Sequence, residues 1–162
     1  MSLLTPFHLA IPVSNLAIAQ DFYENTLECT PGRFSKQWAD YSLFGHQLVL
    51  HEDKKYEGQK HFNKVDGKAV PIPHFGVVLK WDDFNFFSSK LIEKNIEFQI
   101  SPYLRFKDQP GEQMTMFFYD PSGNALEFKS FKNIALCHSF IGSRKDSRIR
   151  VFIRRIFQSF SV

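Results

Sequence analysis

Cysteine is scarce in this chain of 162 residues, and its two cysteines, Cys29 and Cys137, lie far apart in the sequence. A disulfide framework needs several cysteines, and a cysteine zinc site needs them at close spacing. The sequence therefore argues against both, and a reducing cytosol is the compartment that we expect.

Long apolar runs and phosphate-binding loops are also missing. No stretch reaches the roughly 18 apolar residues of a membrane-spanning helix, and the start of the sequence lacks the basic and apolar regions of a signal peptide. Gly111 and Gly123 are interpreted as turn residues, because no glycine-rich loop precedes a helix. We therefore expect a cytoplasmic protein without a transmembrane helix.

Positive charge is concentrated at the end of the sequence. Although the net charge is +3, residues 142–162 carry six basic residues against one acid. The rest of the chain is therefore slightly acidic, which argues against a nucleic-acid-binding surface on the fold. Residues 134–162 are interpreted as a basic C-terminal extension. An amphipathic helix on a membrane surface is one interpretation, but we favour packing against a partner or disorder.

Phenylalanine, by contrast, is abundant, with 19 residues in the chain, and predicts a thick aromatic core in one domain. The sequence also contains a weak internal repeat, in residues 5–28 and 72–98. Each copy opens with a proline and a histidine and continues as an apolar run of strand length. Apolar residues then recur at three- and four-residue steps, which predicts a helix.

Each half of the chain is therefore predicted to contain a strand, a helix and three further strands. The helices are predicted to begin at Ser14 or Asn15 and at Asp82 or Asp83, because side chains of these types cap helix N-termini. The later strands are predicted at 33–36, 38–44 and 46–52 in the first half, and at 97–101, 112–119 and 124–130 in the second.

These elements predict an α+β domain over residues 1–133, built from two paired βαβββ modules that form a curved mixed sheet around a cleft. The modules span about 5–52 and 72–131. Residues 53–71 are polar and rich in Gly, Lys and Pro, so they are interpreted as a linker or surface loop.

Three side chains are candidates for a metal site in that cleft. His8 and His74 occupy equivalent strands of the two copies, and Glu127 stands among apolar residues of the last strand. Two imidazoles and a carboxylate are ligands for Fe(II), Mn(II), Ni(II) or Zn(II), and a cation would explain a buried carboxylate. The alternative is that both histidines are structural and that Glu127 faces solvent.

Three segments carry a resemblance to a known family: DPSGNALEF (120–128), FHLAIPVSNLAIAQDFYENTL (7–27) and PHFGVVL (73–79). They resemble the vicinal oxygen chelate superfamily, which includes glyoxalase I, type I extradiol dioxygenases and the fosfomycin and bleomycin resistance proteins. The resemblance spans about residues 5–131. It implies two paired βαβββ modules and a divalent metal bound by His8, His74 and Glu127, with Fe(II) favoured and Zn(II), Ni(II) or Mn(II) open.

A fourth family position falls on Val49, which cannot bind a metal, whereas its same-face neighbours Gln47 and His51 could. A metal site with three protein ligands resembles that of the ring-cleaving dioxygenases, in which the remaining coordination positions are open for substrate and O₂. Phe117, however, replaces the Tyr of the dioxygenase motif, and residues 108–116 lack its acid–base His. Proton transfer would then need His51, Gln47, His46 or Tyr119.

Arg105 and Lys107 are candidates for binding a carboxylate or oxyanion of a small substrate. The alternative is that both belong to a solvated loop without a role in binding. The sequence favours a metal-dependent, dioxygenase-like enzyme that acts on a small molecule with vicinal oxygens. A glyoxalase-like lyase or isomerase and a metal-free protein that sequesters a ligand are the alternatives. A homodimer fits the resemblance, since modules also pair between subunits in this superfamily.

Overall fold

The computed structural model describes residues 5–58 and 61–134. Cys137 and the segment considered as an amphipathic helix in the C-terminal extension lie outside these residues. In the part of the chain described, no helix is long and apolar enough to cross a membrane.

The first module is a four-stranded sheet with one helix. Strand β1 is parallel to β4, and the order across the sheet is β1-β4-β3-β2. A π-helical turn, Phe22–Thr26, continues the helix. The elements are β1 (His8–Val13), α1 (Leu16–Asp21), β2 (Thr30–Phe34), β3 (Trp38–Leu43) and β4 (His46–Glu52).

A β-hairpin follows, in the region that the sequence analysis interpreted as a linker or loop. Its strands are β5 (His61–Val65) and β6 (Lys68–Ile72). Asp66 and Gly67 form the turn with positive φ angles of 49° and 75°, as the Asp-Gly pair of a tight hairpin requires. The hydrophobicity pattern of the sequence does not reveal β5, because every residue of this strand is exposed.

The second module repeats the first. Its sheet has the order β7-β11-β10-β9, and a further short strand, β8, also pairs in parallel with β11. The predicted α+β fold of two βαβββ modules is therefore confirmed. The elements are β7 (His74–Phe75), β8 (Val78–Leu79), α2 (Trp81–Glu93), β9 (Phe98–Arg105), β10 (Gln113–Tyr119) and β11 (Ala125–Phe131).

One predicted helix start is confirmed and the other is wrong. Asn15 caps α1, because its side chain accepts a hydrogen bond of 3.1 Å from the backbone N–H of Ile18. Helix α2 begins one residue before Asp82, and Lys80 at its cap makes no side-chain capping bond. Asp82 and Asp83 instead lie in the first turn, where a carboxylate interacts favourably with the helix dipole.

The aromatic core lies on one face of each sheet. Tyr23, Phe84, Phe118 and Phe128 are fully buried, and the rings of Phe118 and Phe128 stack at 5.8 Å between centroids. Because side chains alternate along a strand, the residues between the core residues point to the opposite face. We call this second face of each sheet its open face.

The turn between β10 and β11 fastens the two modules together. The Asp120 carboxylate accepts hydrogen bonds from the backbone N–H groups of Ser122, at 2.9 Å, and Asn124, at 2.8 Å. The Asn124 side chain donates to the carbonyl of Pro12 at 2.9 Å, and Ser122 accepts from the backbone N–H of Ser14 at 3.0 Å. The turn therefore holds the end of β1 beside the start of β11.

Candidate functional site

Glu127 is buried on the open face of the second sheet. Only 8% of it is exposed, and the Thr115 hydroxyl donates a hydrogen bond of 2.8 Å to its Oε1. Thr115 occupies the neighbouring strand β10, on the same face. This hydrogen bond orients the carboxylate, and its second oxygen, Oε2, is available to contact other groups.

His74 is one of those groups. Its Nε2 lies 3.1 Å from Glu127 Oε2, and its Nδ1 lies 2.7 Å from the carbonyl oxygen of Pro71. A carbonyl only accepts, so Nδ1 carries the hydrogen and donates it. Nε2 is thereby the nitrogen that faces the carboxylate.

The electrostatics of this pair follow from its contacts. The hydrogen bond with Glu127 raises the pKa of His74 above its usual value, although burial acts in the opposite direction. Burial alone would raise the pKa of Glu127, but the hydrogen bond from His74 and the charge of Lys129 bring it below its usual value. Lys129 Nζ lies 3.0 Å from Oε2. The buried carboxylate is therefore ionised, and it lies between the Lys129 ammonium and the His74 ring.

The pair has features that a metal site requires. Two ligands on one ion, with bonds of about 2.1 Å, lie roughly 3.0–3.4 Å apart in octahedral or tetrahedral geometry, and His74 Nε2 and Glu127 Oε2 are 3.1 Å apart. A ligand histidine also commonly donates its other N–H to a carbonyl, as His74 does to Pro71. The contact of Lys129 with Oε2 is the feature that a bound cation would have to displace.

Gly76 allows β7 to lie this close to β11. A Cβ atom built on Gly76 would stand 1.6 Å from the carbonyl oxygen of Glu127. No side chain fits there, so a residue other than glycine would force the strand that carries His74 away from Glu127.

His8 lies elsewhere in the single chain. Its Nδ1 is 2.9 Å from the side-chain oxygen of Gln47, on the open face of the first sheet. Among residues 5–58 and 61–134, no three His, Cys, Asp or Glu side chains form a group that could hold a metal ion. One chain therefore brings two of the three predicted ligands together, and leaves His8 apart.

The separation of His8 follows from how the modules meet. Pro12, near the end of β1, is tied to Asn124, next to the residue that pairs with His74. The start of β1 lies at the other end, where Phe7 and Leu9 line a cavity with Gly76 and Val77. The equivalent histidines of the two modules thus lie toward opposite ends of the junction, so His8 does not join His74 and Glu127 within one chain. The site of three ligands stays a prediction.

The other predicted residues are distributed over the two open faces. Gln47 contacts His8, and His51, on the same face of β4, is exposed. Tyr119 lies on the open face of β10, and its hydroxyl is buried without a hydrogen-bond partner. Burial raises its pKa, so this hydroxyl stays protonated at neutral pH.

Comparison with known proteins identifies the family. The family described as Glyoxalase/Bleomycin resistance protein/Dioxygenase superfamily matches residues 5–128. The chain belongs to this superfamily. A crystal structure of a glyoxalase/bleomycin resistance protein/dioxygenase from Alicyclobacillus acidocaldarius is 30% identical, with a TM-score of 0.68 over 81% of this chain and 94% of that one. No curated protein matches the chain.

More distant members of the superfamily share the fold. FosX, a fosfomycin resistance protein from Listeria monocytogenes, is 12% identical, with a TM-score of 0.56 over 84% of this chain and 98% of that one. A lactoylglutathione lyase from Agrobacterium tumefaciens is 12% identical, with a TM-score of 0.53 over 76% and 91%.

Two residues that contact or adjoin Glu127 were not predicted from the sequence. Lys129 lies two residues after Glu127, and the two-residue period of a strand places both on one face. Thr115 pairs with Lys129 across the antiparallel ladder of β10 and β11. The period could have revealed Lys129, whereas Thr115 required the register of the two strands.

The hairpin of β5 and β6 contacts the same open face. Arg105 pairs with Asp66 at the hairpin turn, and Lys68 Nζ lies 4.6 Å from the centre of the Tyr103 ring. Lys107, by contrast, is exposed on the loop after β9. The structure therefore places Arg105 at the hairpin and leaves Lys107 in solvent.

Proposed function

We propose that this superfamily member is a divalent-metal-dependent enzyme that acts on a small molecule with vicinal oxygen atoms. One observation carries the proposal: His74 Nε2 and Glu127 Oε2 face each other at 3.1 Å, the spacing of two ligands of one ion, while His74 Nδ1 and Glu127 Oε1 are hydrogen-bonded elsewhere. Both residues already have the outer hydrogen bonds that orient metal ligands.

His74 and Glu127 would hold the metal, and His8 would be the third ligand. Because His8 lies apart from the pair in one chain, the third ligand would be His8 from a second copy of the chain in a homodimer. His8 is exposed and its Nδ1 is already directed at Gln47, which leaves Nε2 to face a partner. A bound divalent ion supplies Lewis acidity that polarises substrate oxygens. Fe(II) fits best, since a 2-His-1-carboxylate set is the non-haem iron arrangement.

The remaining site residues would bind and orient the substrate. Gln47 and His51 share an open face with His8, so the same partner would bring them to the site. His51 is the candidate for proton transfer, because it is exposed and an imidazole can both donate and accept a proton. Tyr119, protonated and buried, would only donate or accept a hydrogen bond.

Turnover assays discriminate between the two enzyme reactions. Protein reconstituted with Fe(II) is expected to consume O₂ with one of a panel of catechols, and Glu127→Ala is expected to abolish the uptake. If the hemithioacetal of methylglyoxal is converted instead, with Ni(II) or Zn(II) and without O₂, the enzyme is a glyoxalase-like lyase. Absence of turnover in both assays would contradict the proposal.

A metal-free binding protein is the second candidate function. Lys129 favours it, because its ammonium, 3.0 Å from Glu127 Oε2, already compensates the buried carboxylate. In that case the open faces would sequester a ligand without changing it. Failure of the protein to retain any of Fe(II), Mn(II), Ni(II) or Zn(II) after reconstitution would support this second function.

A further inference from the structure

The hairpin of β5 and β6 rests on the second sheet through two polar contacts at and beside its turn. The Asp66 carboxylate pairs with the Arg105 guanidinium, and the Lys68 ammonium lies over the Tyr103 ring at 4.6 Å. Tyr103 and Arg105 lie two residues apart on β9, and Tyr103 pairs with Thr115, which holds Glu127. The hairpin tip is therefore close to the proposed metal site.

Arg105 has a binding position that the protein does not fill. Its side chain is only 18% exposed, and Nη2 is the nitrogen that meets Asp66. Its Nε is buried and has no hydrogen-bond partner. A buried donor without a partner is costly, and arginine binds a carboxylate through two parallel N–H bonds. Arg105 therefore offers Nε and Nη2 together to a carboxylate that binds more completely than Asp66 does.

We propose that Arg105 binds a carboxylate of the substrate, and that this carboxylate replaces Asp66. This inference rests on the proposed function, for which it specifies the substrate class: an anionic molecule with vicinal oxygens at its other end. Tyr103 pairs with Thr115 and Thr115 with Lys129, so Arg105, Tyr103, Thr115 and Glu127 share one open face. A substrate that reaches from Arg105 to the proposed metal would lie across this face.

Replacement of Asp66 is favoured by its exposure. Half of the Asp66 side chain is exposed, and ion pairs at such positions contribute little, equivalent to about fivefold in affinity or less. Asp66 and Gly67 both have positive φ, which Asn adopts as readily as Asp. Asp66→Asn therefore removes the competing charge and leaves the turn intact.

The test compares 3,4-dihydroxybenzoate with neutral 1,2-dihydroxybenzene, whose affinities are measured by calorimetry with metal-free and metal-loaded protein. Wild type is expected to prefer the carboxylate, and Arg105→Met to weaken its binding about 10- to 100-fold without affecting the neutral compound. Asp66→Asn is expected to strengthen carboxylate binding about two- to fivefold. Lys64→Met, which removes an exposed charge from the same hairpin, is the matched control and is expected to change neither affinity.

Hydrogen exchange of the hairpin amides gives a second readout that needs no turnover. Asp66→Asn, Arg105→Met and added 3,4-dihydroxybenzoate are each expected to speed exchange over residues 61–72, since each breaks the same ion pair, and Lys64→Met is not. An unchanged carboxylate preference in Arg105→Met would overturn the inference, as would weaker carboxylate binding in Asp66→Asn or no binding of 3,4-dihydroxybenzoate to wild type and Asp66→Asn. If no metal binds but these effects appear, the proposed enzyme fails and the carboxylate site stands.

Discussion

Gly76→Ala is the substitution whose effect on the site can be worked out most directly. The new Cβ would lie 1.6 Å from the carbonyl oxygen of Glu127, where real Cβ atoms keep at least 3.0 Å. Strand β7 must therefore retreat from β11 by at least about 1.4 Å, which removes His74 from contact with Glu127. The long hydrogen bond from Lys129 N to Val77 O, already 3.3 Å, would also break.

We expect Gly76→Ala to lower the free energy of unfolding by about 2–4 kcal/mol, from overpacking of about 1–3 kcal/mol and a lost hydrogen bond of about 1 kcal/mol. Urea denaturation measures this change, and a metal titration of the folded variant measures the loss of affinity. Gly45→Ala is the control, because no atom lies within 4 Å of its Cβ and only its φ of 88° is strained. Wild-type stability and metal affinity in Gly76→Ala would refute the reasoning.

Two further substitutions test the contacts around the site and the helix packing. Thr115→Val keeps the shape but leaves Glu127 Oε1 without its donor, so metal affinity should fall about 10- to 100-fold in a titration, in line with other outer-shell substitutions. Lys90 lies 2.7 Å from Glu28 Oε2 and holds the pKa of that exposed carboxyl below its usual value. Glu28 therefore stabilises the fold above the ordinary pKa of a glutamate and loses this effect as the pH falls through its folded pKa. Lys90→Met should weaken the decline of stability in acid, measured by urea denaturation at pH 7 and pH 3.

The strands and the repeat could be predicted because local chemistry determines them. Strand β4 falls on the predicted residues 46–52, and β10 and β11 differ by one residue from the predicted ranges. The Asn15 cap is likewise a local hydrogen bond. The hairpin was missed although Asp66 and Gly67 give a turn signal, because β5 is exposed along its whole length and the two strands do not alternate regularly in hydrophobicity.

The assembly of the site could not be predicted, because it depends on how the modules meet. The repeat correctly made His8 and His74 equivalent, but the junction places them at opposite ends, since Pro12 and not His8 lies near Asn124. The pairing of His74 with Glu127 needed the parallel register of β7 and β11 and the close approach at Gly76. Neither register nor approach is visible in residue spacing.

The most direct test is the metal content of wild-type protein and of His74→Ala after anaerobic reconstitution with Fe(II) and removal of free metal, measured by mass spectrometry. Exposed His61 on the hairpin provides the control variant His61→Ala, and circular dichroism checks that all three are folded. We predict one ion per chain in wild type and His61→Ala, and none in His74→Ala. Equal metal content in folded His74→Ala and wild type would contradict the account.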